Sequence, residues 1–329
     1  MATGKASDFK IYQDEMRGGI VERLTQASAF FNAAGGAIRL GTVSRRGDYA
    51  KESFIKTISS LVTRRDTTSV STATDLAVAM DEIISVKLNR KIGPVGQTLD
   101  SFRKVQMEAG EDALSFLIGT QIAKAMEVEM LNTGLRACRA ALDTANTTQF
   151  DAASTITTVD LVSGLAKFGD AANNIGAWVM HSKVYFDLMK HQIGTSANGD
   201  IVAGAAVQGA NPLTLNRPVI VTDSDALVVT TGTGTAAVTK YHTLGLVPNA
   251  IVVEDSEQST MEAQIVTGLE NLIVRLQGES AYNLGVKGFK WDTGSGGANP
   301  LDAAVGTGTN WDAAASSYKD YAGILVVSS

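Results

Sequence analysis

Residues 177–223 constrain the fold more than any other stretch of the chain. Ala177-Trp178-Val179-Met180 reads as a strand, Ser182 opens a helix directly after it, a polar loop spans about Gly194–Gly209, and Pro218-Val219-Ile220-Val221 reads as a second strand. Two strands joined through a helix require a sheet with a covering layer. The segment closes on RPVIVTDSDAL without gathering a catalytic set, so it supplies a scaffold and points to a chain that fits other copies of itself.

The flanking segments differ in character. Residues 1–40 mix short apolar patches (Ile20, Val21, Leu24, Ala27) with Gly18-Gly19 and Gly35-Gly36, and read as an arm with little core of its own. From Arg39 to about Arg90, β-prone runs at Val43, Tyr49, Phe54-Ile55 and Leu61-Val62 alternate with charged and hydroxyl residues, which suits a long projecting hairpin. Ile92-Gly93-Pro94-Val95-Gly96 is expected to stop it. A long amphipathic helix follows, capped by Thr98 or Asp100, breaking near Gly110 and running to about Ala141, with Leu114, Leu117, Ile118, Ala125, Val128 and Leu135 on its inner face. After a Thr/Asn linker, Thr157 or Thr158 caps a second helix that turns Leu161, Leu165 and Phe168 inward.

Beyond Val221 the pattern is β-rich, at Leu227-Val228-Val229, Ala250–Val253, Leu272–Leu276 and Tyr282–Val286. The Gly/Ala/Ser/Thr-rich tail from Thr293 reads as flexible linker followed by a strand at Gly323–Val327. Strands and helices segregated in this way, without regular βα alternation, predict an α+β fold.

Bulk properties exclude several classes. The chain has 329 residues, 44% hydrophobic and 19% charged, enough for a substantial core in two or three domains. A single cysteine, Cys138, leaves no internal disulfide and fits a reducing compartment. The N-terminal stretch has no apolar run of the secretory kind, and no uninterrupted spanning segment follows, so cytoplasmic synthesis without a membrane is expected. A net charge of −6 argues against a dedicated nucleic-acid binder.

The candidate chemistry is weak. Val228-Val229 leading into Gly232-Thr233-Gly234, with Glu254 some way on, imitates a dinucleotide-binding turn; yet Val238, Thr239, Thr243, Gly245 and Pro248 make a poor crossover helix and a good returning strand. His181 and His191 bracket one helix at a spacing that does not clasp a metal, and Cys138 reads as a small buried residue. Glu254, Asp255 and Glu257 read as a solvated or subunit-facing cluster at a strand end. No catalytic, cofactor or metal residue is assigned. The basic set Arg45, Arg46, Arg64, Arg65, Lys87, Arg90 and Lys91, with Asp66, reads as a phosphate-binding patch, a plain solvated surface or intersubunit ion pairs, and pairing with Glu254, Asp255, Glu257, Glu262 and Asp292 of another copy is the favoured of the three.

The whole order, with AWVMHSKVYFDLMK, NRPVIVTDS, LGLVPNAIVVEDSE, LIVRLQGESAYNLGVKGFKWD and the tail NPLDAAVGTGTNWDAAASSYKDYAGILVV, resembles the major capsid proteins of tailed bacteriophages, whose fold encapsulin shells share. The resemblance implies an N-terminal arm over 1–40, an extended loop and connection over 41–97, and a peripheral-domain spine helix over 98–154. It further implies an axial domain over 155–270, returning peripheral strands over 271–292 and a C-terminal extension over 293–329. It also implies assembly into hexamers and pentamers of an icosahedral head around double-stranded DNA, held by weak non-specific contact. Portal, scaffolding and decoration proteins are the implied partners, and the virion the destination. The polar loop, with Gly194, Asn198, Asp200, Gly204 and Gly209, would face the symmetry axis. In some relatives a loop lysine bonds to a neighbour's asparagine, which here would take Lys51 or Lys56 and Asn283. The residues ahead of the spine helix are taken up by arm and loop, so a separate scaffolding protein, or none, is expected. An encapsulin-like compartment and a nucleotide-binding enzyme using Gly232–Gly234 are the alternatives.

Overall fold

Three long runs of β-branched and alternating residues build the first sheet. They are β3 (Met80–Thr98), β9 (Ile251–Val266) and β10 (Ile273–Val286), paired antiparallel with β10 in the middle. Shorter strands flank them: β1 (Ile38–Thr42) lies parallel to the start of β9, and β2 (Tyr49–Ile55) antiparallel to the start of β3, giving the order β1-β9-β10-β3-β2. This computed structural model describes residues 36–42, 47–56, 58, 61–72, 75–98, 111–195, 214–215, 217–232 and 237–329. Along β10 the alternation is clean: Val274, Leu276 and Tyr282 point inward, while Arg275, Gln277 and Glu279 face solvent.

The second sheet has the order β4 (Gln149–Asp151), β13 (Gly323–Ser328), β8 (Val238–Leu246), β5 (Ala177–His181), β6 (Val219–Thr222), with β7 (Val228–Thr231) also paired to β8. The strand, helix and second strand expected over 177–223 are present as β5, α3 (Ser182–Thr195) and β6, and β5 and β6 are parallel. The expected helix α2 (Thr158–Ala166) starts on a full capping box, in which Thr157 and Asp160 each accept from the other's backbone N–H. Leu161 and Phe168 are fully buried beneath it. The overall class is the α+β fold expected from the sequence.

The spine helix α1 is described over Glu111–Ala145, about 50 Å of helix. Its inward face differs from the one expected. Leu135 is buried as expected, but Ala125 and Val128 are exposed, and Ala123, Met130, Ala137, Cys138, Ala140, Ala141 and Leu142 are buried. The side chains of Leu114 and Leu117, and all of Asp100, lie outside the described set. Both sheets and the tail meet on the last turns of α1, so burial there is nearly all round and a single apolar stripe misidentifies it.

Two other expectations fail for a shared reason: glycine and proline were taken as breakers. Gly93-Pro94 does not stop the hairpin strand, because β3 runs on to Thr98, which pairs with Ile273. Ile92 faces Gly278 and Val95 faces Leu276, so β3 carries one extra residue there; the bulge takes Gly93 at φ +78° and a proline that has no ladder hydrogen to give. The tail ahead of its final strand is packed rather than a flexible linker, and the strand expected at its end is present as β13. β11 (Phe289–Trp291) pairs with β12 (Trp311–Ala313), Trp291 and Trp311 meet edge to face at 5.0 Å, and β13 sits between β4 and β8. Gly306 lies against Arg136, and Gly308 lies so close to α1 that a Cβ would run into Thr144 Oγ1. These glycines permit close approach of backbone to helix.

Inside the second sheet, a Cβ at Gly245 would stand 2.8 Å from both Ile324 and Trp178. Gly245→Val is therefore expected to cost about 1–3 kcal/mol through overpacking, read as a lowered denaturation midpoint. Gly285→Ala, whose nearest neighbour is Ser85 at 3.5 Å, should change it far less.

Candidate functional site

Among the described residues, the hairpin formed by β2 and β3 carries the most exposed stretch. Its strands pair from Tyr49↔Val86 to Ile55↔Met80, and Lys56 N–H adds a rung to the Ala79 carbonyl. Beyond that point the described tip residues, 61–72, stand in solvent: Val62 is 91% and Val70 103% exposed, with Leu61 between two-thirds and three-quarters so. Their hydrogen bonds are local, from Thr68 to Asp66 and between Ser69 and Ser71. Arg64 and Arg65 are exposed beside them. Apolar and basic side chains thus stand together in solvent on this projection.

At its base the hairpin is clamped. Asp81 takes Lys56 at 2.8 Å from the hairpin and Lys290 at 3.1 Å from β11 in the tail. The Lys56 hydrogen bond, the Glu82 N–H and Lys290 hold the Asp81 carboxyl far below its usual range. Lys51 pairs with Glu82 across the same two strands at 3.3 Å.

Farther along β3, Arg90 joins four elements. Its guanidinium reaches Glu129 of α1 at 2.7 Å and Asp302 of the short helix α4 (Asp302–Val305) at 2.8 Å, and lies over the Tyr282 ring of β10. Tyr282 Oη and Thr133 Oγ1 both donate to Glu129. Burial works against the Arg90 charge, but Tyr282 and Glu129 outweigh it and its pKa rises; burial, reinforced by Glu129, pushes the Tyr282 phenol up as well. Beside this junction an open groove of about 530 Å³ runs over the outward face of α1, floored by Ala125 and Val128 and walled by Lys124, Arg136 and Asp302.

The expected intersubunit residues separate into groups. Arg64, Arg65 and Asp66 are on the tip, and Lys91 is exposed on β3 opposite Glu279. Arg90 and Glu257 already have partners in their own chain, Glu257 through Lys87. Glu254, Asp255 and Glu257 lie within β9, at positions paired with β10, and not at a strand end. Burial raises the Asp255 carboxyl to about 6. Gly194 falls in the last turn of α3, while Arg45, Arg46, Asn198, Asp200, Gly204 and Gly209 lie outside the described residues. Lys51 and Lys56 hold Glu82 and Asp81, and Asn283 is 2% exposed between Lys87 and Glu254 in the sheet.

Other candidates resolve into structure. Thr231 faces Val238, so β7 and β8 form a hairpin about Gly232 rather than opening onto a crossover helix. His181 Nδ1 accepts from the Lys183 N–H at the start of α3, and burial, assisted by Arg139, lowers His242 to about 4. Burial pushes the Cys138 thiol up to about 12. Among the described residues no group of three metal-ligating side chains occurs. Asp81, Lys290, Glu129 and Asp302 were missed from sequence. Asp81-Glu82 just ahead of a β-run was the available signal, but their partners lie far away along the chain.

A family model described as Gp13-like, major capsid protein 13-like, matches residues 8–325. No curated protein matches the chain in sequence. Among solved structures, the capsid asymmetric unit of cyanophage Pam1 aligns with TM-score 0.52 at 11% identity over 90% of this chain and 89% of that one. The capsid of Myoviridae phage XM1 aligns with TM-score 0.51 at 10% identity over 91% and 92%. At these identities the likeness is one of fold.

Two outcomes follow from the geometry. Because Asp255 binds its proton more tightly folded than unfolded, its contribution favours the folded state below about pH 4 and is lost as pH rises through about 6. Asp255→Asn should raise the melting temperature at pH 7 and remove the dependence between pH 4 and 6 that a thermal melt series reads. Asp81→Asn should release Lys56 and Lys290 together, speeding amide exchange in β2 several-fold while leaving β10 unchanged.

Proposed function

The chain belongs to the Gp13-like family of major capsid proteins, and on that premise we propose that its copies close into hexamers and pentamers of an icosahedral head around double-stranded DNA. It is a structural protein of a capsid shell. The observation that carries the assembly reading is the hairpin: a clamped base and a tip whose Leu61, Val62 and Val70 find no cover among the described residues. In a closed symmetric array such a projection is buried by the neighbouring copy, and many modest contacts sum to a stable container.

The rest of the reading builds on the resemblance to tailed-phage capsids. Residues 1–40 serve as the arm, the second sheet with α2 and α3 as the axial part, and the segment from Gly194 to Gly209 as the side facing the five- and six-fold axes. A net charge of −6 suits weak, non-specific contact with packaged DNA through local basic residues only. Portal and scaffolding proteins, and a decoration protein, are the further partners. Assembly takes place in the host cytoplasm.

Expressed as the full chain, the protein is expected to give shells, tubes or hexamers under negative stain. Val62→Asp combined with Val70→Asp should cut particle yield at least ten-fold while circular dichroism of the monomer is unchanged. Normal shells from that variant would sink the hairpin's role. Monodisperse monomers from the parent chain would sink the assembly reading, and particles filled with protein instead of DNA would identify a cargo compartment.

A further inference from the structure

The first sheet has two long edges, and they are built differently. On the β3 side the edge is closed: Lys87 N–H donates to the Asp48 carbonyl, Asn89 N–H to Asn299 Oδ1, and a glycine-proline bulge follows at Gly93-Pro94. These are the devices by which natural sheets keep an edge from pairing with another chain. The β9 side has none of them over its second half. β1 covers β9 only as far as Asp255, and Thr260–Val266 continues as a regular ladder with β10 on one side and no strand on the other among the described residues. That stretch contains no proline, glycine or lysine. It sets Met261 beneath α1 and shows Thr260, Glu262 and Gln264 to solvent.

The tip of the hairpin has the complementary character. Residues 61–72, LVTRRDTTSVST, are rich in β-branched side chains, lack proline and glycine, and take part in no ladder. They carry exposed Arg64 and Arg65 where the β9 edge carries Glu262. Resting on the assembly reading above, we propose that the tip of one copy adds as a strand to the open Thr260–Val266 edge of β9 in the next copy. Main-chain hydrogen bonds give the contact its strength, and the Arg64/Arg65 to Glu262 attraction sets its register.

Topology makes the contact one between copies. β3, β10 and β9 alternate in direction, so the hairpin leaves the sheet beside Val86, Leu284 and Val253, whereas Val266 pairs with Ile273 beside Thr98 at the other end. The two ends are about 40 Å apart along β10. Donor and acceptor are thus different surfaces at opposite ends of one sheet, which is a head-to-tail interface and closes into rings when the rotation permits.

The test compares assembled particles with unassembled full-length chain by amide hydrogen exchange. Exchange in both 61–72 and 260–266 should slow at least ten-fold on assembly. Cys138 is buried and the chain has no other cysteine, so disulfides in shells of Thr67→Cys or Ser71→Cys, each combined with Gln264→Cys, report only the engineered pair. They should join copies and be absent from the monomer. Arg64→Glu with Arg65→Glu should reduce particle yield at least ten-fold, and adding Glu262→Arg should restore it. Shells in which 260–266 exchanges as fast as in the monomer overturn this contact alone, as does protection of 260–266 with cross-links absent at both tip positions, which would place the tip elsewhere, such as the α1 groove. Failure of the parent chain to assemble at all overturns the capsid reading, and this contact with it.

Discussion

Everything else in the fold depends on the close seating of the C-terminal half of α1. Gly134 lies against Ile251 and Val253 of the first sheet, Ala137, Cys138, Ala140, Ala141 and Leu142 are buried, and Gly306 and Gly308 of the tail press on the same turns. Small side chains let two sheets and a returning tail share one helix, at packing distances that larger residues would not allow. The Arg90 junction reinforces the same seat farther up the helix, where Glu129, Asp302 and Tyr282 surround a cation that is poorly solvated. A half-buried cation with several partners resists rearrangement, because losing a carboxylate leaves its charge less fully compensated where water reaches it poorly.

With the centre held in this way, the surfaces left uncovered among the described residues lie at the periphery: the hairpin tip, the second half of β9 and part of the outward face of α1. The apolar residues of the tip are spaced along an extended segment among Thr, Ser and Arg, so they do not form one large patch. Such spacing gives each proposed contact some apolar area to bury on assembly.

The sequence was legible where local rules decide. The β5–α3–β6 unit follows from an apolar run and a helix start, and α2 follows from Thr157 and Asp160 at capping-box spacing. It was illegible where tertiary context reverses a local rule. Gly93-Pro94 is a breaker in isolation and a tolerated bulge on a β3 edge that has no partner to supply. Gly306 and Gly308 suggest flexibility until a helix is laid against them. Ala125 and Val128 satisfy helical periodicity as well as Met130 and Leu135 do, and periodicity alone cannot say which stripe faces a sheet. The ion pairs at Asp81 and Arg90 join residues from opposite ends of the chain, so only the fold reveals that they are internal.

On the head-to-tail contact proposed above, the angle between neighbouring copies is a property of a single sheet. β3 carries the outgoing hairpin and β9 carries the receiving edge, and β10 hydrogen-bonds to both along its length. Adjacent strands turn about 20–25° relative to each other, so the direction in which the tip leaves and the direction in which the edge receives are coupled through the twist across three strands. Bulges adjust that twist locally, and this sheet has them at Leu276/Gly278 and around Ala281, between the two contact surfaces. The Asp81 clamp then governs how far the tip can swing from the direction the sheet sets. Ring closure needs a near-fixed rotation, while a shell with both five- and six-fold positions needs a limited range of it. A twisted sheet with a hairpin held at its base by half-buried ion pairs supplies both.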